Sequence, residues 1–529
     1  MTRKYFDPAG TVEEKGGPMI RYHISSFDGS YQPYALYVPD AYSPYTKWPL
    51  VISLHGYSSD HVLNLRRVFG LGNMCRQLDA DCKQTFPTFP EVPCLVASPY
   101  GFGSMGYGAQ GETDVLDVLE DVKSNFSIDD DRVYLTGLSM GGEGTWHIAV
   151  RYPDLWAAIA PVCAPTAFFA GPEDVKCLAR NLMHVPANIS HGDCDTTVPV
   201  DESREMARIM DELAYSYMYE EYPDVEHNAW DHTYADARIF RWLLQYRKAL
   251  KPRKISFTTD RLRYNTAYWI EVSRINTWYE LARIDARILK NNSIQILAEN
   301  IGAFVLHLDK APINLELPVK IICNGIQHFS GHIENPSIQI ILNEPPSCGL
   351  AKKKGLEGPV FDALKSRFAV VYGTQTDDPV MRDTLKCAGD CAAFWSDWAD
   401  AEIPIFADHE IDDGKIDAFN LILVGDNRTN QIIGRINDHL PIRFTESGIA
   451  SDTDVYGDGN SGLIEVYPNP LNPDKYAVII GGSTEDILMK AASSYRDMPD
   501  YGVFSESTDF GNPETFGTFG YFDSCWEIE

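Results

Sequence analysis

The chain has 529 residues, of which 44% are hydrophobic and 23% are charged, as expected for a globular protein with two or three domains. Its 75 acidic and 45 basic residues give a formal net charge of −30, which argues against a nucleic-acid partner because a polyanion requires a basic surface. The sequence also lacks the run of about 18 apolar residues that a membrane-spanning helix needs, so we expect no membrane partner.

The amino-terminal segment and the cysteines bear on the cellular compartment and on metal binding. The segment MTRKYFDPAGTVEEKGG has no apolar core of the kind found in signal peptides, so we expect a cytoplasmic protein or a secreted one whose signal was removed. The 11 cysteines include no Cys-X-X-Cys pair, which predicts neither a metal site nor another cofactor. Most thiols should be free and buried, although export would allow a disulfide such as Cys75–Cys82 or Cys387–Cys391.

Strands and helices are predicted to alternate from the amino terminus to about Leu250. Residues 19–38 predict a β-hairpin with Asp28-Gly29 in its turn. Residues 49–54 form an apolar strand that ends in His55-Gly56-Tyr57, and residues 112–126 have the apolar period of an amphipathic helix. This alternation predicts a mostly parallel sheet with helices on both of its faces.

The segment DRVYLTGLSMGGEGTW at residues 131–146 contains Gly137-Leu138-Ser139-Met140-Gly141, a G-X-S-X-G sequence. Such a sequence is typical of a nucleophile elbow, in which glycines permit a sharp turn that exposes the serine hydroxyl. The pattern alone also arises by chance, and in the alternative interpretation Ser139 only caps a helix. The apolar strand before it and the apolar helix face after it favour Ser139 as the nucleophile.

The acid and the base of a triad on such an elbow follow the serine in that order. The apolar strand at residues 187–192 leads into the loop DCDTTVPV, in which Asp195 is the predicted acid and Asp193 the competing candidate. The acid should hold the base in one tautomer and stabilise its charged form.

The predicted base is His227, which begins the loop after the strand YMYEEY at residues 217–222. His232 is the rival, but it falls where the next helix is expected to begin. We expect His227 to take the proton of the Ser139 hydroxyl during the attack and to deliver it to the leaving group.

The negative oxygen of a tetrahedral intermediate requires two or more backbone donors. The N–H of Met140, directly after the nucleophile, is the first predicted donor. The N–H of Tyr57, in the loop after residues 49–54, is the second. His55-Gly56 alone would be an ordinary strand-ending turn, and its combination with an ordered triad favours the oxyanion hole.

Two further regions are predicted beyond the last helix of this first region, which ends near KPRK at residues 251–254. Residues 251–345 contain short strands separated by polar turns, which predicts a small β-sandwich. These strands are KISFTT, AYWIEVSRI, LARIDARIL, SIQILAEN, AFVLHL, VKIICNG and SIQIILN. Residues 350–529 contain RFAVVYGT, NLILVGD and YAVIIGG, each followed by a helical stretch, which predicts a second α/β domain after the catalytic domain of residues 1–250.

The carboxyl-terminal region offers two weak ligand signals. Residues 373–375 and 425–427 follow predicted parallel strands, where α/β sheets bind ligands, but we favour plain turns there. The acidic run at residues 452–460 lacks EF-hand spacing, so a solvated turn is favoured over a calcium loop. We expect both downstream domains to wall the active-site mouth, together with residues 102–107 and 164–172. A chain ending near Leu250 should then fold but lose activity on large substrates.

The stretch from Asp28 to Tyr234 resembles the esterase and prolyl-oligopeptidase-like branch of the α/β-hydrolase superfamily. The motifs that carry the resemblance are YALYVPD, LVISLHGYSSD, SPYGFG, TGLSMGGEGTW, YPDLWAAIAPVC, ISHGDCDTTVPV and EHNAWDHTY. Feruloyl esterases, polyhydroxybutyrate depolymerases and related carboxylesterases have the most similar pattern. The resemblance implies Ser139, Asp195 and His227 as the triad. Glu143 departs from the pattern, and its carboxylate is expected either to influence the pocket or to face solvent.

Three functional hypotheses follow. The favoured one is a carboxylic ester hydrolase that forms an acyl-enzyme on Ser139, acting on an acyl or feruloyl ester linked to carbohydrate. The alternative is a prolyl-oligopeptidase-like serine peptidase, but no repeat of about 40 to 50 residues that would form a propeller precedes the hydrolase motifs. A binding protein on an inactive scaffold would require a broken triad, and these motifs are intact.

Overall fold

The computed structural model describes residues 16–71, 86–167, 175–345, 347–375, 379–457 and 460–528. An eight-stranded sheet with the order β1-β2-β4-β3-β5-β6-β7-β8 forms the centre of the amino-terminal region. Its strands are β1 (Gly17–Ile24), β2 (Tyr31–Val38), β3 (Trp48–Leu54), β4 (Leu95–Pro99), β5 (Ile128–Leu138), β6 (Ala158–Val162), β7 (Ala187–Gly192) and β8 (Tyr217–Tyr222). The helices are α1 (His61–Val68), α2 (Gln110–Asn125), α3 (Met140–Arg151), α4 (Asp201–Glu212), α5 (Trp230–Thr233) and α6 (Arg238–Leu243).

This sheet is parallel from β4 to β8, and the predicted hairpin of β1 and β2 joins it in antiparallel pairing. Helices cover both faces, as predicted. Leu50 and Ile52 of β3 belong to a core with α2, α3 and α4, whereas Val51 between them belongs to a core with α1 and α6. This alternation follows from the two-residue period of a strand that is buried on both sides.

The middle region consists of two sheets, with the orders β10-β11-β14-β17 and β16-β15-β13-β12-β9. Their buried residues form one hydrophobic core. The strands are β9 (Lys254–Thr259), β10 (Thr266–Ala267), β11 (Ile270–Ile275), β12 (Ala282–Ile288), β13 (Ser293–Glu299), β14 (Ile301–His307), β15 (Val319–Cys323), β16 (Ile326–Gly331) and β17 (Ser337–Ile341). The sequence did not predict β16, whose side chains are all exposed or half-buried and therefore carry no apolar alternation.

The carboxyl-terminal region contains a seven-stranded sheet, β19-β18-β20-β25-β24-β26-β27, and a three-stranded sheet, β21-β22-β23. The strands are β18 (Phe368–Tyr372), β19 (Ile405–Ala407), β20 (Asn420–Val424), β21 (Arg443–Thr445), β22 (Gly448–Ala450), β23 (Val455–Gly457), β24 (Ser461–Asn469), β25 (Asn472–Gly482), β26 (Tyr501–Ser505) and β27 (Thr518–Gly520). The helices are α7 (Val360–Ala363), α8 (Pro379–Ala399), α9 (Asp413–Ala418), α10 (Gln431–Ile436) and α11 (Glu485–Ser494). The three predicted strands are β18, β20 and β25, which pair in parallel, while β24, β26 and β27 add an antiparallel half.

Most of the described cysteines are free and buried, as expected, but the one described disulfide is a pair that the sequence analysis did not name. Cys348 and Cys525 are bonded, with 5.9 Å between their Cα atoms, whereas Cys387 and Cys391 are free. Spacing could not reveal this pair, because 177 residues separate its members and only the fold brings them together. Cys75 and Cys82 lie outside the described residues. In the described part of the chain, no helix is both long and apolar enough to cross a membrane.

One edge of the first sheet, at the carboxyl ends of its parallel strands, is packed into the carboxyl-terminal region. Phe27, Phe102 and Met105 belong to the same hydrophobic core as β18, β20 and β25. The Phe27 ring lies 6.0 Å from that of Phe102 and 6.1 Å from that of Phe368. The loop after β4 is therefore held from both sides, by its own sheet and by the carboxyl-terminal sheet.

Candidate active site

Ser139 lies at the turn between β5 and α3, with φ 55° and ψ −120°. This left-handed conformation is rare for a residue with a side chain and is typical of strained functional turns. The flanking glycines are required because a side chain at either position would collide with the backbone. A Cβ atom on Gly137 would lie 2.1 Å from the carbonyl oxygen of Gly141, and one on Gly141 would lie 2.2 Å from that of Leu54.

The structure brings Ser139, His227 and Asp195 into one hydrogen-bonded chain. The Ser139 Oγ is 2.9 Å from Nε2 of His227, and Nδ1 of His227 is 2.7 Å from Oδ2 of Asp195. Because the carboxylate only accepts, Nδ1 carries the proton and Nε2 is left to accept the serine hydroxyl. This is the arrangement that a general base needs for activating a serine.

The Asp195 side chain is inaccessible to solvent and accepts four hydrogen bonds. Its Oδ1 accepts from the N–H groups of Thr197 and Val198, at 2.8 and 2.9 Å. Its Oδ2 accepts from His227 and, at 3.2 Å, from Nε2 of His191. Burial acts to raise the pKa of Asp195, but the bonds from His191, His227 and Val198 outweigh it and hold the pKa well below its usual range.

The rival candidates lie elsewhere. Asp193 is exposed, and its carboxylate contacts the thiol of Cys194. His232 belongs to α5, as its sequence position predicted, and stacks on Tyr222 with 5.0 Å between the ring centres. Glu143 is buried in α3, which excludes the solvent-facing one of its two alternatives.

The loop after β3 passes directly beside the nucleophile. A Cβ atom on Gly56 would lie 3.5 Å from the Cβ of Ser139, so the chain at Gly56 and Tyr57 borders the place where a substrate carbonyl would sit. On the other side, Met140 begins α3, and N–H groups of a first helical turn have no partner within the helix. The Tyr57 side chain is exposed and the Met140 side chain is buried.

The loop after β4, which contains residues 102–107, supports this segment. The Tyr107 hydroxyl accepts from the N–H of His55 at 3.0 Å, and Ser104 Oγ accepts from the N–H of Ser58 at 3.0 Å. His55 is fully buried, with Nε2 2.8 Å from the carbonyl oxygen of Tyr100. Residues 164–172 were also expected near the site, and residues 168–172 of that stretch lie outside the described residues.

Two residues at the site were missed by sequence reasoning. His191 lies near the end of β7, and Cys163 follows β6 with φ 40° and no solvent exposure. The signal was available, because the carboxyl ends of neighbouring parallel strands meet at one edge of a sheet, and Ser139 lies at that edge. Burial raises the pKa of the Cys163 thiol, which therefore stays protonated.

Cys163, Asp195 and His227 form the group of potential metal ligands found within the described ranges, with their donor atoms within 4.8 Å of one another. Asp195 and His227 are already hydrogen-bonded to each other, so we assign no metal to them.

The weak ligand signals of the carboxyl-terminal region have internal partners. The Thr374 hydroxyl and the N–H of Gln431 donate to the buried carboxylate of Asp408. Asp426 accepts from Arg428. Asp452, in the acidic run, pairs with Arg443, and residues 458–459 of that run lie outside the described residues.

No protein-family model matches the chain. A bifunctional acetylxylan esterase/xylanase from Neocallimastix patriciarum is 30% identical over 138 residues, which cover 26% of this chain and 18% of that protein. An uncharacterized secreted protein from Arthroderma benhamiae is 27% identical over 444 residues, covering 74% of this chain and 47% of its own length. Poly(3-hydroxyalkanoate) depolymerase C from Paucimonas lemoignei is 44% identical over 54 residues, covering 10% and 13%. The chain spans less than half the length of each of these curated relatives.

Similar solved structures include a thermostable esterase, 24% identical, with a TM-score of 0.34 and coverage of 44% of this chain and 63% of that one. A CE1 ferulic acid esterase from Anaeromyces mucronatus is 14% identical, with a TM-score of 0.35 and coverage of 45% and 92%. Porphyromonas gingivalis dipeptidyl peptidase 4 is 15% identical, with a TM-score of 0.34 and coverage of 44% and 36%. The esterase and depolymerase among the sequence relatives confirm the resemblance that the motifs predicted.

Proposed function

We propose that this chain, which resembles the esterase branch of the α/β-hydrolases, is a serine hydrolase that cleaves carboxylic esters through an acyl-enzyme on Ser139. The observation that supports the proposal most strongly is the chain of hydrogen bonds from Ser139 through His227 to Asp195. Its three members come from separate parts of the sequence and meet at one edge of the sheet.

In the proposed reaction the Ser139 oxygen attacks the ester carbonyl while His227 accepts the hydroxyl proton at Nε2. The N–H groups of Met140 and Tyr57 donate to the developing oxyanion. Collapse of the tetrahedral intermediate expels the alcohol, which takes the proton from His227. Water then attacks the acyl-enzyme with His227 again as the base, which releases the acid and restores Ser139. Asp195 stays ionised and stabilises the imidazolium in both steps.

We propose an acyl or feruloyl ester linked to carbohydrate as the substrate. The relative named as an acetylxylan esterase/xylanase supports this choice. We further propose that residues 1–250 are the catalytic domain, residues 251–345 a β-sandwich domain and residues 350–529 a carboxyl-terminal α/β domain. The separate sheets support the division, while the shared core around Phe102 indicates that the first and third domains fold against each other.

The test is hydrolysis of p-nitrophenyl acetate, methyl ferulate, acetylated xylan and a Gly-Pro anilide by wild type and Ser139→Ala. We expect ester turnover that falls by about 10⁴-fold or more in the variant. Ser256→Ala is the matched control, because Ser256 is also a buried, hydrogen-bonded serine but lies in β9. Ester turnover that survives in Ser139→Ala would overturn the proposal, and preferred cleavage of the anilide would indicate the peptidase.

A further inference from the structure

His191 is a second histidine at the proposed catalytic acid. It lies in β7 and is completely buried. Its Nε2 is 3.2 Å from Oδ2 of Asp195 and 3.0 Å from the carbonyl oxygen of Val198. Its Nδ1 is 2.7 Å from the Oγ of Ser203, in α4.

These partners fix the tautomer of His191. Nε2 faces two atoms that can only accept, so it must carry a proton, which is shared between them. Nδ1 faces a hydroxyl, which can donate to it. A neutral ring with its proton on Nε2 satisfies all three contacts. His191 is therefore a donor to Asp195 and does not compete with it for a proton.

The two imidazoles meet at the same oxygen atom, since Oδ2 of Asp195 accepts from His227 at 2.7 Å and from His191 at 3.2 Å. With the two amides on Oδ1, all four acceptor positions of the carboxylate are occupied. Rotation of the carboxylate toward another partner would break several of these bonds at once. His191 also draws negative charge away from the side of Oδ2 that faces His227.

We propose that His191 is a positioning residue, which holds Asp195 in line with His227 and limits how strongly that carboxylate stabilises the charged form of His227. The proposal rests on the proposed serine-hydrolase function. Without the His191 donor, Asp195 would attract the His227 proton more strongly, so the active unprotonated base would appear only at higher pH. The same loss would loosen the carboxylate and slow the reaction.

Other charged and titratable groups surround this pair and would stay the same in the variants. Cys163 faces Asp195 and His227 from the end of β6, and Arg67 of α1 lies near Cys163. Glu221 of β8 lies near His191 and is ion-paired with Arg204 of α4. A shift of the acid limb that appears when only His191 is replaced is therefore due to loss of the hydrogen bond that its Nε2 donates to Asp195.

The test is the pH profile of kcat/KM for p-nitrophenyl acetate in two full-length variants. His191→Phe keeps the ring volume but removes the donor, and we expect about a tenfold or greater loss with the acid limb moved to higher pH. His191→Gln can place an amide N–H near the former Nε2 position, so its kcat/KM and the position of its acid limb should both lie close to those of wild type. An acid limb that stays at the wild-type position in His191→Phe would overturn the proposal.

His23→Phe is the matched control, because His23 is also buried and donates from Nε2 to a carboxylate, that of Asp114, at 2.8 Å. It should lose stability without moving the acid limb. If His191→Phe does not fold, Ser203→Ala takes its place. That variant removes the partner that orients the His191 ring through Nδ1, so a weaker hydrogen bond to Asp195 and a smaller shift to higher pH are expected, and no shift overturns the proposal. Activity that survives in Ser139→Ala would instead refute the proposed function.

Discussion

In the proposed mechanism, the negative charge of Asp195 holds His227 in the tautomer that has its proton on Nδ1 and can accept from Ser139 at Nε2. In Asp195→Asn the amide can present an N–H to His227, which favours the tautomer whose Nε2 cannot accept from Ser139. We expect kcat for p-nitrophenyl acetate to fall by about 10⁴-fold, and the melting temperature to fall as well because the neutral amide loses charge-assisted hydrogen bonds. Asp193→Asn is the control, because Asp193 is exposed in the same loop. If Asp193→Asn is the inactive variant instead, the assignment of the acid is reversed.

Gly56 tests the predicted oxyanion hole. A Cβ atom there would lie 2.8 Å from Cδ1 of Leu138 and 3.5 Å from the Cβ of Ser139, so Gly56→Ala adds a methyl group between Ser139 and the loop that carries the Tyr57 N–H. We expect kcat to fall, by at most the roughly 10²- to 10³-fold that loss of one oxyanion donor costs. In Gly389→Ala, in α8, an added Cβ meets nothing within 4 Å, so that variant should retain full kcat. Unchanged kcat in Gly56→Ala would contradict a role for this loop.

At the scale of elements, one buried carboxylate links α2, α3 and the middle region. Glu112 of α2 accepts from His147 of α3 at 3.0 Å, from Tyr152 at 2.9 Å and from Tyr264 of the middle region at 2.9 Å. Burial acts to raise the pKa of Glu112, but its hydrogen bonds, led by that from His147, lower the pKa to about 2. The carboxylate therefore stabilises the fold above its ordinary pKa, and this contribution is lost as the pH falls toward 2.

Glu112→Gln should accordingly lower the free energy of unfolding by about 2 kcal/mol at pH 7, because the neutral amide loses charge-assisted bonds. The difference from wild type should shrink as the pH falls from about 4.5 toward 2. Urea unfolding followed by tryptophan fluorescence measures the free energy of unfolding at pH 7 and its change with pH. Glu120→Gln, on the exposed side of the same helix, is expected to change the unfolding free energy by less than about 0.5 kcal/mol at either pH. If the difference in unfolding free energy between wild type and Glu112→Gln grows as the pH falls, the assignment of an ionised Glu112 carboxylate is contradicted.

The elements around the proposed site could be predicted because their signals are local. A turn needs glycines where backbone atoms approach closely, and β3 and the second half of β5 are buried on both faces and mostly apolar. The antiparallel strands β24 and β26 were not predicted. β26 pairs with a strand distant from it in sequence, whereas β24 forms a tight hairpin with β25 and its apolar run was overlooked. The role of His191 was missed because its partners Asp195 and Ser203 reach it only in the folded chain.

At the scale of the whole molecule, the catalytic region is incomplete without the carboxyl-terminal region. Phe27, Phe102 and Met105 are buried in that region's core, and each contributes about 1.5 to 3 kcal/mol through burial. Together they approach the stability of an average domain. The Tyr100 hydroxyl also donates to Asp400, at the end of α8, at 2.9 Å. The structure therefore changes the expectation for a chain that ends near Leu250.

We now expect that shorter chain to aggregate or to unfold at a much lower temperature than the full chain, because these side chains would become exposed. Size-exclusion chromatography and thermal unfolding measure this. The control is full-length Asp400→Asn, which keeps the core and loses a single contact, and it should stay monodisperse. A monodisperse chain ending at Leu250 with full kcat on p-nitrophenyl acetate would contradict the dependence and restore the original expectation.

The bond between Cys348 and Cys525 closes a covalent ring around the carboxyl-terminal region. A protease that cuts the chain once inside this ring opens it but releases no fragment, since both new ends remain attached through the two sulfur atoms. Electrophoresis without reductant would show such a nicked chain at full mass, and only reductant would separate its pieces. Because the ring holds most of the core that contains Phe102, damage there can leave the support of the catalytic edge in place.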